Sequence, residues 1–312
     1  MSSISSVSVI IINYHGLEDT IACVQSLLAT RDAADLKIVV VNADDDSVEQ
    51  SKSTKVLHDQ FPKIEVLERK NLGFCGGNNE GAAYALQNHS SDYLLFLNND
   101  TLVDLSAIHE LVTFAQGHDS ELAAYAPKIY FESGYEFHKN AYAFSERGKI
   151  LWYAGGLVDR KNMYAWHRGV NELDLGQFDL AKETGFVTGC CMLVSRQTYQ
   201  KIGGWNTKYF LYLEDLDYSE RLRRRKGKLW YVPRAKIWHK NASSTDGSGS
   251  QQHVYYQTRN RLYFGLKYAG LRTKVALVKE FFSKLKNGTH YEKIGVIDAL
   301  FGKMGKNVLN RE

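Results

Sequence analysis

Apolar residues fall in short unbroken blocks over the first hundred positions. Val7–Asn13 is a β-branched block closed by a polar residue, and it reads as a strand buried on both faces. Residues 17–29 instead space Ile21, Val24, Leu27 and Leu28 at helical intervals. Residues 38–41 are a second buried strand, which runs into Asn42-Ala43-Asp44-Asp45-Asp46. A helix is predicted over 51–60, a third strand over 64–67, a helix of small residues over 76–87, and a fourth strand over 93–97. Such alternation of strand and helix predicts an α/β fold, a mostly parallel, Rossmann-like sheet with helices on both faces. A further helix is predicted over 106–117. From 126 to 183 the chain turns aromatic and glycine-rich, with alternation as in Lys149-Ile150-Leu151-Trp152-Tyr153, which predicts antiparallel strands and long loops. Helices over 195–202 and about 216–225 follow. Residues 243–250 have the composition of a flexible linker, and helices are expected beyond it, including one over 273–285. The chain has no internal repeat.

Two of the blocks end in acids. Leu94-Leu95-Phe96-Leu97 runs into Asn98-Asn99-Asp100, and Phe210-Leu211-Tyr212-Leu213 runs into Glu214-Asp215-Leu216-Asp217. Both read as strands that deliver a carboxylate to the sheet's carboxyl end, where open α/β sheets bind ligands. An acid in that place can hold a hard divalent cation or take a proton from a nucleophile. Asp215 follows four aromatic or leucine residues, which suits a partly buried carboxylate of raised pKa. Asp217 and Glu220 read as helix-start acids serving capping and the macrodipole. His239 closes another strand-like run. Alone it is as well explained as structural; beside Asp100 it becomes a metal-ligand candidate, with imidazole suiting Mn²⁺. The segment Asn71-Leu72-Gly73-Phe74-Cys75-Gly76-Gly77-Asn78-Asn79-Glu80-Gly81 has two readings. It presents free N–H groups to a nucleotide, or it packs a helix closely on the sheet. It is not the dinucleotide fingerprint, since it follows the third strand.

Composition narrows the class. The chain has 312 residues, 44% hydrophobic and 24% charged, which suits one large domain or two small ones. No apolar run approaches the ~20 residues that cross a bilayer, and no secretory signal is expected from the N-terminal pattern. Cys23, Cys75, Cys190 and Cys191 have neither zinc spacing nor a disulfide framework and read as reduced thiols of a cytoplasmic protein. The net charge of +4 is uneven: residues 253–312 hold 12 Lys and Arg against 4 Asp and Glu, a net of +8. Such asymmetry points to an anionic surface. Two accounts of the 273–285 helix stand: its apolar face lies on an anionic membrane, or it packs on the domain or on a second subunit as a homodimer. The basic run over 221–228 reads as a solvated helix face, so no nucleic-acid partner is expected.

Seven pieces in order resemble the family-2 glycosyltransferases of the GT-A fold, over roughly 6–245. They are Val9 to Tyr14, the 71–81 segment, Leu97-Asn98-Asn99-Asp100, Thr188-Gly189, Gly203-Gly204-Trp205, Tyr212 to Asp217, and Val232-Pro233 followed by His239. The rhamnosyltransferase-like branch, which builds bacterial surface polysaccharides, is the nearest in pattern. The resemblance implies a GT-A domain over 1–245, with a nucleotide-sugar half (1–104) and an acceptor half (105–245), then a basic helical C-terminal extension (246–312). It implies Asp215 as the catalytic base and Asp100 with His239 as holders of Mg²⁺ or Mn²⁺; Asn98 stands where many members have aspartate. Asn13, Tyr14, Asn42, Asp44, Asn71, Gly73, Asn78 and Asn99 would bind the nucleotide sugar, and Gly189, Trp205 and Glu214 would shape the acceptor side. The family's aspartate–asparagine pair after the second strand is replaced by Asn42-Ala43-Asp44, which leaves the nucleotide base open. The implied reaction is an inverting transfer, with L-rhamnose from dTDP-L-rhamnose as the first donor and a UDP-hexose or UDP-N-acetylhexosamine as the alternative. The acceptor would be a growing or lipid-linked glycan, and the enzyme cytoplasmic or peripheral on the inner membrane face. A non-catalytic glycan- or nucleotide-binding module of the same fold is the rival.

Overall fold

The computed structural model describes residues 5–31, 36–118, 122–241 and 249–307. Strand and helix alternate as β1 (Val7–Asn13), α1 (Leu17–Leu28), β2 (Leu36–Asn42), α2 (Ser47–Gln60), β3 (Glu65–Glu68), α3 (Gly73–Asn88) and β4 (Tyr93–Asn98). There follow β5 (Thr101–Val103), α4 (Ala107–Gln116), β6 (Ala123–Phe131), β7 (Leu151–Tyr153), β8 (Gly156–Asp159), β9 (Tyr164–His167), β10 (Lys182–Glu183), β11 (Cys191–Ser195), α5 (Arg196–Ile202), α6 (Glu214–Arg224) and β12 (Lys228–His239). Three helices, α7 (Gln251–Tyr268), α8 (Leu271–Asn287) and α9 (His290–Leu300), end the described chain. Except for its last two positions, the linker expected at 243–250 lies outside the described residues.

The main sheet runs β10-β12-β6-β11-β4-β1-β2-β3, with β5 and β7 as side strands on β12 and β6. β1 pairs in parallel with β2 on one side and β4 on the other, which sets Ile10 between Val39 and Phe96. The order reverses at β1 and β4, so a crevice opens beyond their carboxyl ends. β1 is buried along its length because helices cover both faces; α1 supplies Thr20, Cys23, Val24 and Leu27, one stripe at helical spacing. Gly77 and Gly81 bring α3 onto β1: a Cβ on them would meet Ile12 at 2.9 Å and Ile10 at 2.5 Å. Close helix packing therefore accounts for the later glycines of the 71–81 segment.

The sheet is mostly parallel, as expected, with β11 antiparallel to both β4 and β6. Several expectations are corrected. Within 126–183, β7, the β8–β9 pair and β10 are antiparallel as expected. β6, however, starts at Ala123, is buried throughout and pairs in parallel with β12. Helix α2 begins four residues early because the Asp46 side chain accepts the Val48 and Glu49 N–H groups. The approach to Glu214 is not a strand. Phe210, Tyr212 and Leu213 have φ of 63°, 69° and 66°, a left-handed path that no apolar pattern announces. Asp217 and Glu220 are not caps: Asp217 pairs with Arg221 and Lys267, and Glu220 with Arg223 and Arg224.

Candidate active site

The strand ends are tied to one another by side chains. Asn13 at the end of β1 donates to Asn42 Oδ1 at 2.9 Å, and its own oxygen accepts from Thr20 at 2.8 Å. The Asn42 amide is spent on α2, donating to Gln50 O, Ser53 and Thr54. Asp44 accepts from the His15 N–H and from Ser53. Asn13, Asn42 and Asp44 thus brace the turn behind the cleft, whereas Tyr14, Asn71, Gly73, Asn78 and Asn99 line it. Asp45 joins Tyr14, Asn71 and Lys306, from which it accepts at 3.1, 3.3 and 3.2 Å. Asn99 is buried and donates to Gly16 O and Thr20, which fixes the turn that carries Asp100.

Asp100 and His239 meet because β5 folds back on β12, opposing Thr101 to His239. The His239 Nε2 lies 3.1 Å from Asp100 Oδ1, and both side chains are 5% exposed. The other ring nitrogen, Nδ1, is buried with no hydrogen-bond partner among the described residues. Trp152 packs edge-on against this ring at 4.6 Å and against His167 at 4.2 Å. A carboxylate facing the Nε2 of an imidazole across 3.1 Å is a pair of donors that fits a divalent cation such as Mn²⁺. Among the described residues no group of three or more His, Cys, Asp or Glu could hold a metal. The protein donors present are therefore two, which suits an ion whose remaining positions are filled by substrate phosphate and water.

The start of α3 was expected to offer free N–H groups. At its first two positions it does not: Gly73 N–H donates to Asn71 Oδ1 and Phe74 N–H to Phe210 O. Gly73 is left-handed, and a Cβ there would lie 2.5 Å from Phe210 O. The glycine is needed so that the 209–213 path can press against it. That path holds three non-glycine left-handed residues, each costing roughly 1–3 kcal/mol. It ends at Leu213, and α6 starts at once with Glu214 and Asp215.

Asp215 is partly buried and receives the Gly189 N–H at 3.2 Å and the Leu216 N–H at 2.7 Å. Burial raises its pKa above the ordinary aspartate value, against the lowering effect of those two donors. Glu214 is 7% exposed, with one carboxylate oxygen unpartnered. Burial first, then the charge of Asp215, push it up to about 8. Gly189 holds Asp215 from the side, since a Cβ there would strike the Phe74 ring at 2.9 Å. One residue on, Cys190 O accepts the Asn98 N–H, so the two acidic turns are stitched together across the start of β11.

Asp100, His239, Glu214, Asp215 and Gly189 all open into one cleft of about 720 Å³. Trp205 does not. It is buried against Phe74, Phe96 and Tyr218, and reaches the cleft only through Phe74. The cleft also takes in residues that the sequence reading did not single out: His167, Trp152 and Phe210, and from the C-terminal helices His253, Arg261 and Lys306. Burial pushes His167 down to about 4, and its Nδ1 is 3.0 Å from Trp152 O, so the ring is neutral with that nitrogen as donor. The C-terminal residues carried no local signal beyond their charge. The four cysteines are free and buried.

The chain is 24% identical over 258 residues to the low-salt glycan biosynthesis hexosyltransferase Agl10 of Haloferax volcanii, covering 83% of this chain and 75% of that one. It is 25% identical over 229 residues to the rhamnosyltransferase WbbL of Escherichia coli, covering 72% and 80%. The fold matches a crystal structure of GalNAc-T7 with UDP, GalNAc and Mn²⁺ at a TM-score of 0.65 and 15% identity, over 96% of this chain and 55% of that one. That neighbour establishes the architecture as GT-A. The model of the family described as "Glycosyltransferase like family 2" matches residues 5–265, from β1 into α7. The chain belongs to that family and is a glycosyltransferase.

Proposed function

We propose that the chain transfers a sugar from a nucleoside diphosphate to a glycan hydroxyl in one inverting displacement. The observation that carries this reading is that Asp215 and the Asp100–His239 pair open into the same cleft. Asp215 takes the proton of the acceptor hydroxyl as its oxygen forms the bond to the anomeric carbon. The bond from that carbon to the diphosphate breaks, and the nucleoside diphosphate leaves with the electron pair. Tyr14, Asn71, Gly73, Asn78 and Asn99 bind the donor, with Asn13, Asn42 and Asp44 holding the strand ends behind it. Gly189 and Glu214 form the acceptor side, and Trp205 supports it from below through Phe74. Asp100 and His239 hold Mg²⁺ or Mn²⁺, which when bound offsets charge on the leaving diphosphate.

L-Rhamnose from dTDP-L-rhamnose is the first donor, supported by the likeness to WbbL. A UDP-hexose or UDP-N-acetylhexosamine is the second reading, favoured by the UDP in the solved neighbour. The acceptor is a growing or lipid-linked glycan. The enzyme works on the cytoplasmic face of a membrane, supported by exposed Leu271, Val275 and Phe282 on α8 and Leu300 and Phe301 beyond. The same face would serve a homodimer. Arg223 and Arg224 are engaged by Glu220, which favours sugar transfer over nucleic-acid binding.

The test is Asp215→Asn with dTDP-L-rhamnose, UDP-glucose and UDP-N-acetylglucosamine, each with Mn²⁺. Turnover should fall by ~10²–10⁴-fold. The donor-induced rise in melting temperature, which reports binding to the folded form, should persist. Turnover equal to wild type removes Asp215 as the base, and no melting shift with any donor in either protein favours the rival that binds glycan alone.

A further inference from the structure

Two polar side chains in the middle of α7, Arg259 and Asn260, are fully buried. They face the 209–213 path, some fifty residues earlier in the chain. The Asn260 amide nitrogen shares its two N–H groups among Leu211 O at 2.7 Å, Tyr212 O at 2.9 Å and Tyr209 O at 3.0 Å. Its oxygen accepts from Arg259 Nε at 2.9 Å. An arginine only donates, so this contact settles which end of the amide meets the carbonyls. The guanidinium adds a second bond to Tyr209 O at 2.9 Å and reaches Gly305 O at 2.7 Å, with the Tyr255 and Tyr256 rings against it.

The convergence has a physical reason. Left-handed φ at Phe210, Tyr212 and Leu213 winds the path so tightly that the carbonyls of Tyr209, Leu211 and Tyr212 all reach the one buried amide. Buried carbonyls need donors, and non-glycine left-handed residues persist only where the surroundings over-determine them. From the other side the path is held by the Phe74 N–H on Phe210 O. An apolar residue of similar size at 260 would fill the space and leave the carbonyls unmatched. The path ends at Leu213, so its shape sets where α6 begins and where Asp215 points.

We propose that Asn260 is a positioning residue for Asp215: by gathering three backbone carbonyls it locks the 209–213 path and thereby aims the carboxylate into the cleft. This rests on the role given to Asp215 above. It also makes α7 a working part of the transferase, joined to α6 by the bonds of Lys267 and Tyr268 to Asp217.

The test compares Asn260→Asp, which keeps the outline but puts acceptors against acceptors, with the milder Asn260→Ala, should the first not fold. Hydrogen exchange followed by mass spectrometry should show amides of 210–217 exchanging at least about tenfold faster, with β4 and β11 unchanged. With dTDP-L-rhamnose or a UDP-sugar as donor, kcat should fall roughly 10²-fold, as for a misplaced reacting group. The donor KM should stay within about threefold, because Asn71, Asn78 and Asn99 keep hydrogen bonds of their own that do not involve Asn260. Wild-type exchange over 210–217 together with wild-type kcat overturns the proposal, as does a loss carried wholly by donor KM. If the wild-type enzyme turns over none of these donors, the donor readings fail, while the exchange comparison still decides the role of Asn260.

Discussion

Glu214 precedes the proposed base and has no counter-ion among the described residues. Its carboxyl is raised from its ordinary 4.5 to about 8, by burial and then by the charge of Asp215. An acid with a folded pKa above its unfolded one keeps a proton in the folded state that it releases on unfolding. Its contribution is fully present below pH 4.5 and is lost as pH climbs to about 8. Glu214→Gln cannot ionise and escapes that loss. The variant should melt close to wild type at pH 5 and above it at pH 8.5, by a margin of several degrees, on the scale of roughly 2–4 °C per kcal/mol for a domain of 150–250 residues. A scanning calorimetry series from pH 5 to 9 checks this, and a margin that does not grow with pH would sink it. A protonated Glu214 at neutral pH also leaves a single negative charge beside the acceptor hydroxyl, that of Asp215. The raised pKa of Asp215 fits the same picture, since a base of ordinary aspartate strength would draw a hydroxyl proton less well.

At the scale of elements, α6 is held by its fourth residue. Asp217 is fully buried and takes bonds from Arg221 Nε at 2.8 Å, Lys267 Nζ at 2.9 Å, Tyr268 OH at 2.8 Å and Tyr209 OH at 3.2 Å. Burial alone would raise its pKa; Lys267, Arg221 and Tyr268 bring it below the ordinary value. Removing one partner of such a cluster strands the others, so Asp217→Ala should cost about 3 kcal/mol of stability. Urea unfolding measures it, and a loss under half a kcal/mol would mean that α6 and α7 are not joined there. The sequence shows this helix but not its anchor, because the anchor is fifty residues away. The same division runs through the fold. Blocks such as 7–13 and 93–97 declare themselves, since burial on both faces leaves mostly apolar residues. The 71–81 segment shows its glycines but not their two duties: Gly77 and Gly81 pack on β1, while Gly73 makes room for Phe210. The path before Glu214 looks like a strand because apolar content does not report φ, and its shape is imposed by Asn260 and Phe74. Asp100 and His239 are legible as strand-end residues, but their 3.1 Å contact depends on β5 folding back on β12. Trp205 reads as an aromatic near a site, yet sequence alone gives no means of telling a wall from the packing behind it.

For the whole molecule the question is where a charged body meets an apolar substrate. The described residues include no helix long and apolar enough to cross a membrane. Helix α8 packs on the domain through Leu277 and Phe281, which accounts for part of its apolar face. Leu271, Val275 and Phe282 remain outside and are 80%, 49% and 62% exposed, with Phe301 beyond α9 at 77%. Arg272, Lys279, Lys286 and Lys303 stand exposed on the same helices or just past them, in the part of the chain with a net of +8. Separate apolar residues on a surface need no explanation, but a cluster rimmed by cations suits the interface of an anionic bilayer. The C-terminal helices also line the cleft, through His253, Arg261 and Lys284. A glycan carried on a membrane lipid would then reach Asp215 without leaving the surface. The protein should float with vesicles containing phosphatidylglycerol at low salt and be largely released at ~1 M salt, where the Debye length falls to about 3 Å. Phe282→Ser with Leu271→Ser should weaken binding at both salts, each buried side chain contributing roughly 1.5–3 kcal/mol, while turnover of a short water-soluble acceptor stays as in wild type. Absence from the floating fraction at low salt rejects the membrane face. A concentration-dependent rise in mass that the same two substitutions abolish assigns those residues to a second copy of the chain instead.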